Sequence, residues 1–267
     1  MDIYGILAFP AHHSLSPAMH NAGFKTLNLN AQYKTFEVPE NKLKAFIKDV
    51  RKKRIKGLSV SKPHKQEIMP LLDMVDPTAE EIGAVNTVYW ENDKLIGTNV
   101  DWIGVEQALL ETTFIEGKDI VILGAGGAAR AAIYALKENQ AESITVLNRT
   151  LDHAKELANE FICNYGNLEE FASVSPDIVI QATSAGLNKK EGVEIIPGDQ
   201  LTDTMVVMEM IYTPRNTRII RDAQKAGAQT ITGERMLLHQ GAAAFSLWTS
   251  QKAPFAAMEK AVESELS

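Results

Sequence analysis

The sequence predicts two α/β domains, the second built on a doubly wound parallel sheet. Short β-branched runs alternate with amphipathic helical stretches along the whole chain. A glycine-rich turn follows one such run near the middle, and after it the alternation restarts more cleanly. The 267 residues suit one large or two modest domains, either of which can bury a core without disulfides or a structural metal.

In order, Ile3–Phe9, Tyr33–Val38 and Leu58–Ser61 read as strands, and Pro17–Leu27, Glu40–Arg54 and Lys65–Leu72 as helices. Leu43, Phe46, Ile47 and Val50 recur at helical spacing, so the basic run Lys42–Lys56 is read as the wet side of an amphipathic helix rather than a polyanion patch. Val85–Tyr89 and Lys94–Thr98 flank Glu91-Asn92-Asp93, a hairpin signature. A helix from Trp102 to about Thr113 leads to the punctuation Glu116-Gly117-Lys118.

Beyond it, Asp119–Leu123 is a buried strand, 124–127 a glycine turn and Ala128–Glu138 a helix. Ser143–Leu147, the helix Thr150–Phe161, Asp177–Gln181, Met205–Ile211, the helix Thr217–Ala226 and Gln229–Thr232 continue the pattern. Helical stretches Arg235–Trp248 and Pro254–Glu263 close the chain.

Composition excludes several classes. The net charge is −7, which argues against a general nucleic-acid or anionic-membrane binder. No run of about 18 apolar residues occurs and the first residues lack a basic leader, so a soluble cytoplasmic protein is expected. A single cysteine, Cys163, excludes an intramolecular disulfide; it is expected as a core thiol in the helix-like stretch Leu157–Cys163. The six histidines lack metal-ligand spacing, and no metal is expected.

Gly124-Ala125-Gly126-Gly127-Ala128-Ala129 fits G-x-G-x-x-G/A between a strand and a helix, the context of a Rossmann dinucleotide site. Gly124 permits the tight turn, Gly126 lets backbone N–H groups approach a pyrophosphate, and Ala129 permits close packing. An NAD site is expected to carry a carboxylate after the next strand. Asn148-Arg149-Thr150 stands there instead, and a guanidinium grips a 2′-phosphate, so NADP is favoured. Asp152 lies close enough to oppose that reading, unless it serves only the helix dipole.

Towards the N-terminus, Ser14-Leu15-Ser16-Pro17 reads equally as a helix start, with Ser16 as N-cap and Pro17 at N1, and as a carboxylate site. Ser59 and Ser61 end a strand at the edge where ligands bind, followed by Lys62 and Lys65, which by themselves read as surface lysines. Asn86 and Asp101 fall on or just beyond the hairpin arms. A lysine and an aspartate meeting in a partly dry cleft would make a proton-transfer pair.

These blocks occur in the order seen in shikimate dehydrogenases. The chain resembles that family through Ala8-x-Pro10-x-x-His13-Ser14-x-Ser16-Pro17-x-x-His20-Asn21, the Lys65 block, Ala84–Thr87, Asn99-Val100-Asp101 and 124–130. Asn148–Thr150, Ala182-Thr183-Ser184, Tyr212-x-Pro214 and Gly233-x-x-Met236-Leu237-x-x-Gln240-Gly241 extend the likeness to nearly the whole chain. The resemblance implies reversible NADPH-dependent reduction of 3-dehydroshikimate to shikimate, with Lys65 and Asp101 as the catalytic pair. It implies substrate contacts from Ser14, Ser16, Ser61, Asn86, Tyr212 and Gln240. Cofactor contacts are implied for Gly124, Ala125, Gly126, Gly127, Ala128, Asn148, Arg149, Thr150, Thr183 and Gly233.

It further implies a substrate domain of residues 1–101 and 236–267 around an NADP-binding domain of 102–235; monomer and homodimer both stay open. Departures from the family are Ser59 and Ser61 for Asn and Thr, Val100 for Thr, Ala8 for Gly and Gln181 for Asn. They leave quinate or a related cyclohexane carboxylate as the alternative substrate. A nucleotide-sensing protein without catalysis is opposed by the presence of both Lys65 and Asp101. His13 and His64 match family positions and are expected to support loops.

Overall fold

The computed structural model describes residues 1–11, 14–187 and 193–267. His12 and the expected loop-supporting His13 fall outside the described residues. The chain divides into two compact units, Met1–Val100 with Leu238–Ser267, and Asp101–Leu237.

The first unit carries β1 (Asp2–Ala8), α1 (Ser16–Thr26), β2 (Ala31–Glu37), α2 (Leu43–Lys53), β3 (Gly57–Val60) and the one-turn α3 (His64–Glu67). It continues through β4 (Met74–Val75), α4 (Pro77–Ile82), β5 (Thr87–Glu91) and β6 (Lys94–Thr98). Its sheet has the order β2-β1-β3-β5-β6-β4. Leu43, Ile47 and Val50 of α2 are buried against this sheet's Leu7, Leu58 and Val88, so the lysines between them face water as expected. Asn92 and Asp93 take positive φ at the tip of the β5–β6 hairpin, the twist such a two-residue turn needs.

The helix expected over Lys65–Leu72 breaks after Glu67 into a 3₁₀ turn over Met69–Leu71, because Pro70 cannot donate to a continuing helix. Asp76, Pro77 and Gly83 mark α4, a short helix outside the elements expected from the sequence. Asp76 accepts from the Ala79 N–H at 2.8 Å, Pro77 sits in the first turn, and Gly83 caps the end in the left-handed conformation.

The second unit carries α5 (Asp101–Leu110), β7 (Asp119–Leu123), α6 (Gly127–Glu138), β8 (Ser143–Leu147), α7 (Leu151–Phe161) and β9 (Asn164–Gly166). Then come β10 (Ile178–Gln181), β11 (Val206–Glu209), α8 (Arg218–Ala226) and β12 (Gln229–Ile231). Helix α9 (Gly233–Thr249) leads back into the first unit, where α10 (Phe255–Leu266) ends the chain.

This sheet is parallel throughout, in the order β12-β11-β10-β7-β8-β9. Counted from β7, that is 3-2-1-4-5-6, the order of the Rossmann fold, and it reverses between β7 and β10. Ile120, Ile122, Val146, Ile178 and Ile180 meet the alanine-rich face of α6 on one side of it. Val121, Leu123, Val179 and Val207 meet Ile219 and Ile220 of α8 on the other.

Cys163 lies outside any helix. α7 stops at Phe161, and Ile162 turns the chain at φ 54° before β9, a short strand the sequence reading did not include. The thiol is half-buried beside the core, and burial pushes it up to about 11.

Candidate functional site

In the second unit, the glycine turn lies at the carboxyl end of β7, on one side of the point where the strand order reverses. Gly124 has φ 112°, and a Cβ there would meet the Thr183 methyl at 2.8 Å. At Gly126 the opposite holds: a Cβ would find nothing within 4 Å, so open space fronts the backbone just where α6 begins. Ala125, Gly127 and Ala128 complete the turn beside it. That bare, outward-facing backbone at a helix N-terminus fits the pyrophosphate of a dinucleotide.

Thr183 follows β10, on the other side of the reversal. Its N–H donates to Gln181 Oε1 at 2.5 Å, and its hydroxyl accepts from the Ala185 N–H at 3.0 Å. At the end of β8, Asn148 donates its amide to the Thr150 carbonyl at 2.9 Å, closing a short turn. Arg149 on that turn is exposed, and no salt bridge to a described residue engages it. Asp152 lies in the first turn of α7, also exposed. Gly233 opens α9, and half-buried Tyr212 follows β11.

In the first unit, β1, β3 and β6 deliver their carboxyl ends to one edge, joined there by the amino end of antiparallel β5. The loops beyond are stitched by backbone: Phe9 N–H to Lys62 O at 3.0 Å, Ser61 N–H to Leu7 O at 2.9 Å, and Asn86 N–H to Thr98 O at 3.0 Å. Asn86 is buried, and its Oδ1 accepts from Val100 N–H at 2.7 Å and from the Thr87 hydroxyl at 2.9 Å. Asn99 donates to Ala84 O at 2.8 Å, which fastens the chain after β6 to the chain before β5.

Lys65 stands half-buried in α3, its carbonyl accepting from Val85 N–H at 2.8 Å. His64 beside it is fully buried and donates from Nε2 to Val38 O at 2.7 Å, the loop-supporting role expected. Lys62, though exposed overall, is held below the ordinary lysine range, first by partial desolvation and then by the charge of Lys65.

Ser16 does not cap α1 through its side chain. The helix begins at Ser16 itself with Leu15 in the N-cap place, and Ser14 Oγ accepts the Ser16 N–H at 3.2 Å. Pro17 therefore stands one place further into the first turn than expected, where its missing N–H is still harmless. Ser14, Ser16, Ser61, Lys65, Asn86 and buried Gln240 all belong to the first unit. Asp101, also buried, is the first residue of the second and opens α5.

Two aromatic neighbours of this edge had no role assigned from the sequence, although His20 lies in the first block shared with the family. Tyr33 of β2 is buried and donates its hydroxyl to Ser59 Oγ at 2.7 Å. His20 of α1 stacks on the Tyr33 ring with centroids 4.4 Å apart. Burial pushes His20 down to about 3, so its ring is neutral and serves as an aromatic slab. For His20 the available signal was its place in that block; for Tyr33 it was only an aromatic on an expected strand.

Among the described residues no cluster of His, Cys, Asp and Glu could hold a metal, and no helix is long and apolar enough to cross a membrane. The sheet order, the open glycine turn and the polar edge of the first unit define a two-unit α/β protein of the Rossmann dinucleotide-binding class.

Residues 6–88 match the shikimate dehydrogenase substrate binding domain, 106–231 the shikimate/quinate 5-dehydrogenase family, and 233–263 the shikimate 5′-dehydrogenase C-terminal domain. The chain belongs to the shikimate dehydrogenase family. It is 40% identical over 274 residues to the NADP(+) shikimate dehydrogenase of Methanopyrus kandleri, covering 98% of this chain and 94% of that one.

A crystal structure of a shikimate dehydrogenase in complex with NADP+ superposes with TM-score 0.96 at 38% identity, covering 100% of this chain and 96% of that one. The Thermus thermophilus enzyme in complex with NADP(H) and shikimate gives 0.92 at 34% identity, covering 99% of each chain.

Proposed function

We propose that this protein is an NADP-dependent shikimate dehydrogenase, reducing 3-dehydroshikimate to shikimate reversibly. One observation carries the reading: 40% identity to the Methanopyrus shikimate dehydrogenase across 98% of the chain. Residues 1–101 and 236–267 are assigned to substrate, and 102–235 to NADP.

When bound, NADPH supplies the hydride for the ring ketone. Gly124–Ala128 would hold its pyrophosphate, Asn148, Arg149 and Thr150 its 2′-phosphate, and Thr183 and Gly233 the remainder. Lys65, as ammonium, gives a proton to the ketone oxygen as negative charge develops there, so that C=O becomes CH–OH with hydride and proton both accounted for. Asp101 orients the Lys65 ammonium and accepts from the neighbouring substrate hydroxyl. Ser14 and Ser16 donate to the carboxylate, with Ser61, Asn86, Tyr212 and Gln240 on the ring substituents or carboxylate.

Absorbance of the reduced cofactor, followed with shikimate and NADP+, tests the assignment; no turnover with shikimate refutes it. The second reading, quinate or a related acid, is favoured by Val100 and Ser59, which withdraw a hydroxyl and an amide from the family pattern. Relative kcat/KM on shikimate and quinate separates the two. The same reading places the enzyme in the cytoplasm as a monomer or homodimer, and sedimentation distinguishes those states.

A further inference from the structure

One fully buried carboxylate plays no part in the mechanism above. Glu209 ends β11 with none of its surface exposed. Its Oε1 accepts from Ile211 N–H at 2.9 Å, and its Oε2 from the Thr217 hydroxyl at 2.7 Å. The Gln181 amide reaches both oxygens, at 3.2 and 3.4 Å. Gln181, equally buried, closes β10 and holds the next loop: its Oε1 takes Thr183 N–H, and its amide also points to Ala185 O at 3.3 Å. Thr217 stands at the N-cap of α8, where its hydroxyl would ordinarily serve its own helix, yet it makes no side-chain cap bond there. It serves Glu209 instead.

We propose that Glu209 is a positioning residue for the dinucleotide site. Its carboxylate ties the loop carrying Thr183 to the loop carrying Tyr212, on adjacent strands beside the reversal of the sheet. The inference deepens the function proposed above and rests on its assignment of Thr183 to the cofactor. A carboxylate suits the site because every group around it donates. A proton on Glu209 would leave a donor without an acceptor, unless the Thr217 hydroxyl reversed.

The groups facing it from β10, the loop after β11 and α8 are Gln181, the Met210 and Ile211 amides and Thr217, none of them charged. Arg215 and Glu234, on neighbouring segments, pair with each other, and Arg218 pairs with Asp222 and Glu194. Burial therefore outweighs the hydrogen bonds and pushes Glu209 up to about 7. The tie holds above that pH and loosens below it.

The test compares wild type with Glu209→Gln, which keeps the shape and removes the titration. Hydrogen exchange on the cofactor-free proteins at pH 8 reads the tie itself, and both 182–187 and 210–217 are expected to exchange faster in the variant. A change in neither segment, or in only one, overturns the proposal.

NADP+ titrated by calorimetry without shikimate reads the consequence. About 90% of Glu209 is ionised at pH 8 and about 10% at pH 6, so wild type should lose up to roughly ninefold more affinity over that interval than the variant. The 2′-phosphate titrates in both proteins and cancels. An equal pH response in the two proteins overturns the proposal. Should Glu209→Gln fail to fold, Thr217→Val removes one donor and must move the inflection to higher pH; an unmoved inflection overturns it equally. A wild type whose exchange behaves as expected but which does not bind NADP+ refutes the cofactor assignment, not the tie.

Discussion

Tyr33 and Ser59 share a hydrogen bond of 2.7 Å between β2 and β3, with β1 lying between those strands. The tyrosine hydroxyl reaches over the intervening strand to a serine where the family usually carries asparagine. Tyr33→Phe removes the donor and leaves a buried hydroxyl short of a partner, so stability should fall by about 1–2 kcal/mol. Urea melts of the two proteins check it; coincident curves would show the bond to be without net worth.

Lys65→Ala should lower kcat by roughly 10²–10⁴ with little change in the KM for shikimate, because the ammonium is needed chiefly as the alkoxide forms. A large rise in KM at unchanged kcat would leave Lys65 a binding residue only.

Ser14 and Ser16 now separate. Ser14 Oγ holds the first amide of α1, so Ser14→Ala should cost about 1 kcal/mol of stability, whereas Ser16→Ala removes no such bond. Both should weaken shikimate binding by about 1.5–3 kcal/mol if they hold its carboxylate. Thermal melts alongside shikimate titrations decide the matter, and unchanged affinity in both variants would remove the carboxylate role.

Arg149→Ala should abolish most of the preference for NADP over NAD, raising KM for NADP roughly tenfold or more and leaving NAD nearly unaffected. Added salt should erode NADP binding more than NAD binding, since the contact is exposed. Equal losses toward both cofactors would show that Asp152 or the neighbouring backbone sets the choice.

Glu209 also leaves a mark on stability. Its pKa rises from an ordinary 4.5 to about 7 on folding, so the folded protein binds this proton more tightly than the unfolded chain does. The stabilisation from that proton is complete below pH 4.5 and is lost as pH rises through 7, by about 3 kcal/mol at most. Between pH 5 and 8, wild type should therefore lose more stability than Glu209→Gln. Parallel losses measured by chemical denaturation would contradict it.

Five of the six strands of the second sheet are legible in the residue pattern, and only the short β9 is not. β7 and β8 lie within their expected limits because fully buried parallel strands are short apolar runs, and glycine, alanine and arginine after them have few other uses. Lys65, Asn86 and Asp101 were legible only through the order of many small blocks, since each alone reads as ordinary surface or turn chemistry.

Contacts between residues distant in the chain come only with the packed fold. Ser14 rather than Ser16 holds the start of α1, since a serine fits either place and only the path of the chain out of β1 chooses between them. Tyr33 meets Ser59, 26 positions away, because β2 and β3 both flank β1. Glu209 closes a ring with Gln181, 28 positions away, because parallel pairing sets the ends of β10 and β11 level. Periodicity records which face of an element is buried; it carries no information about which polar group will be waiting there.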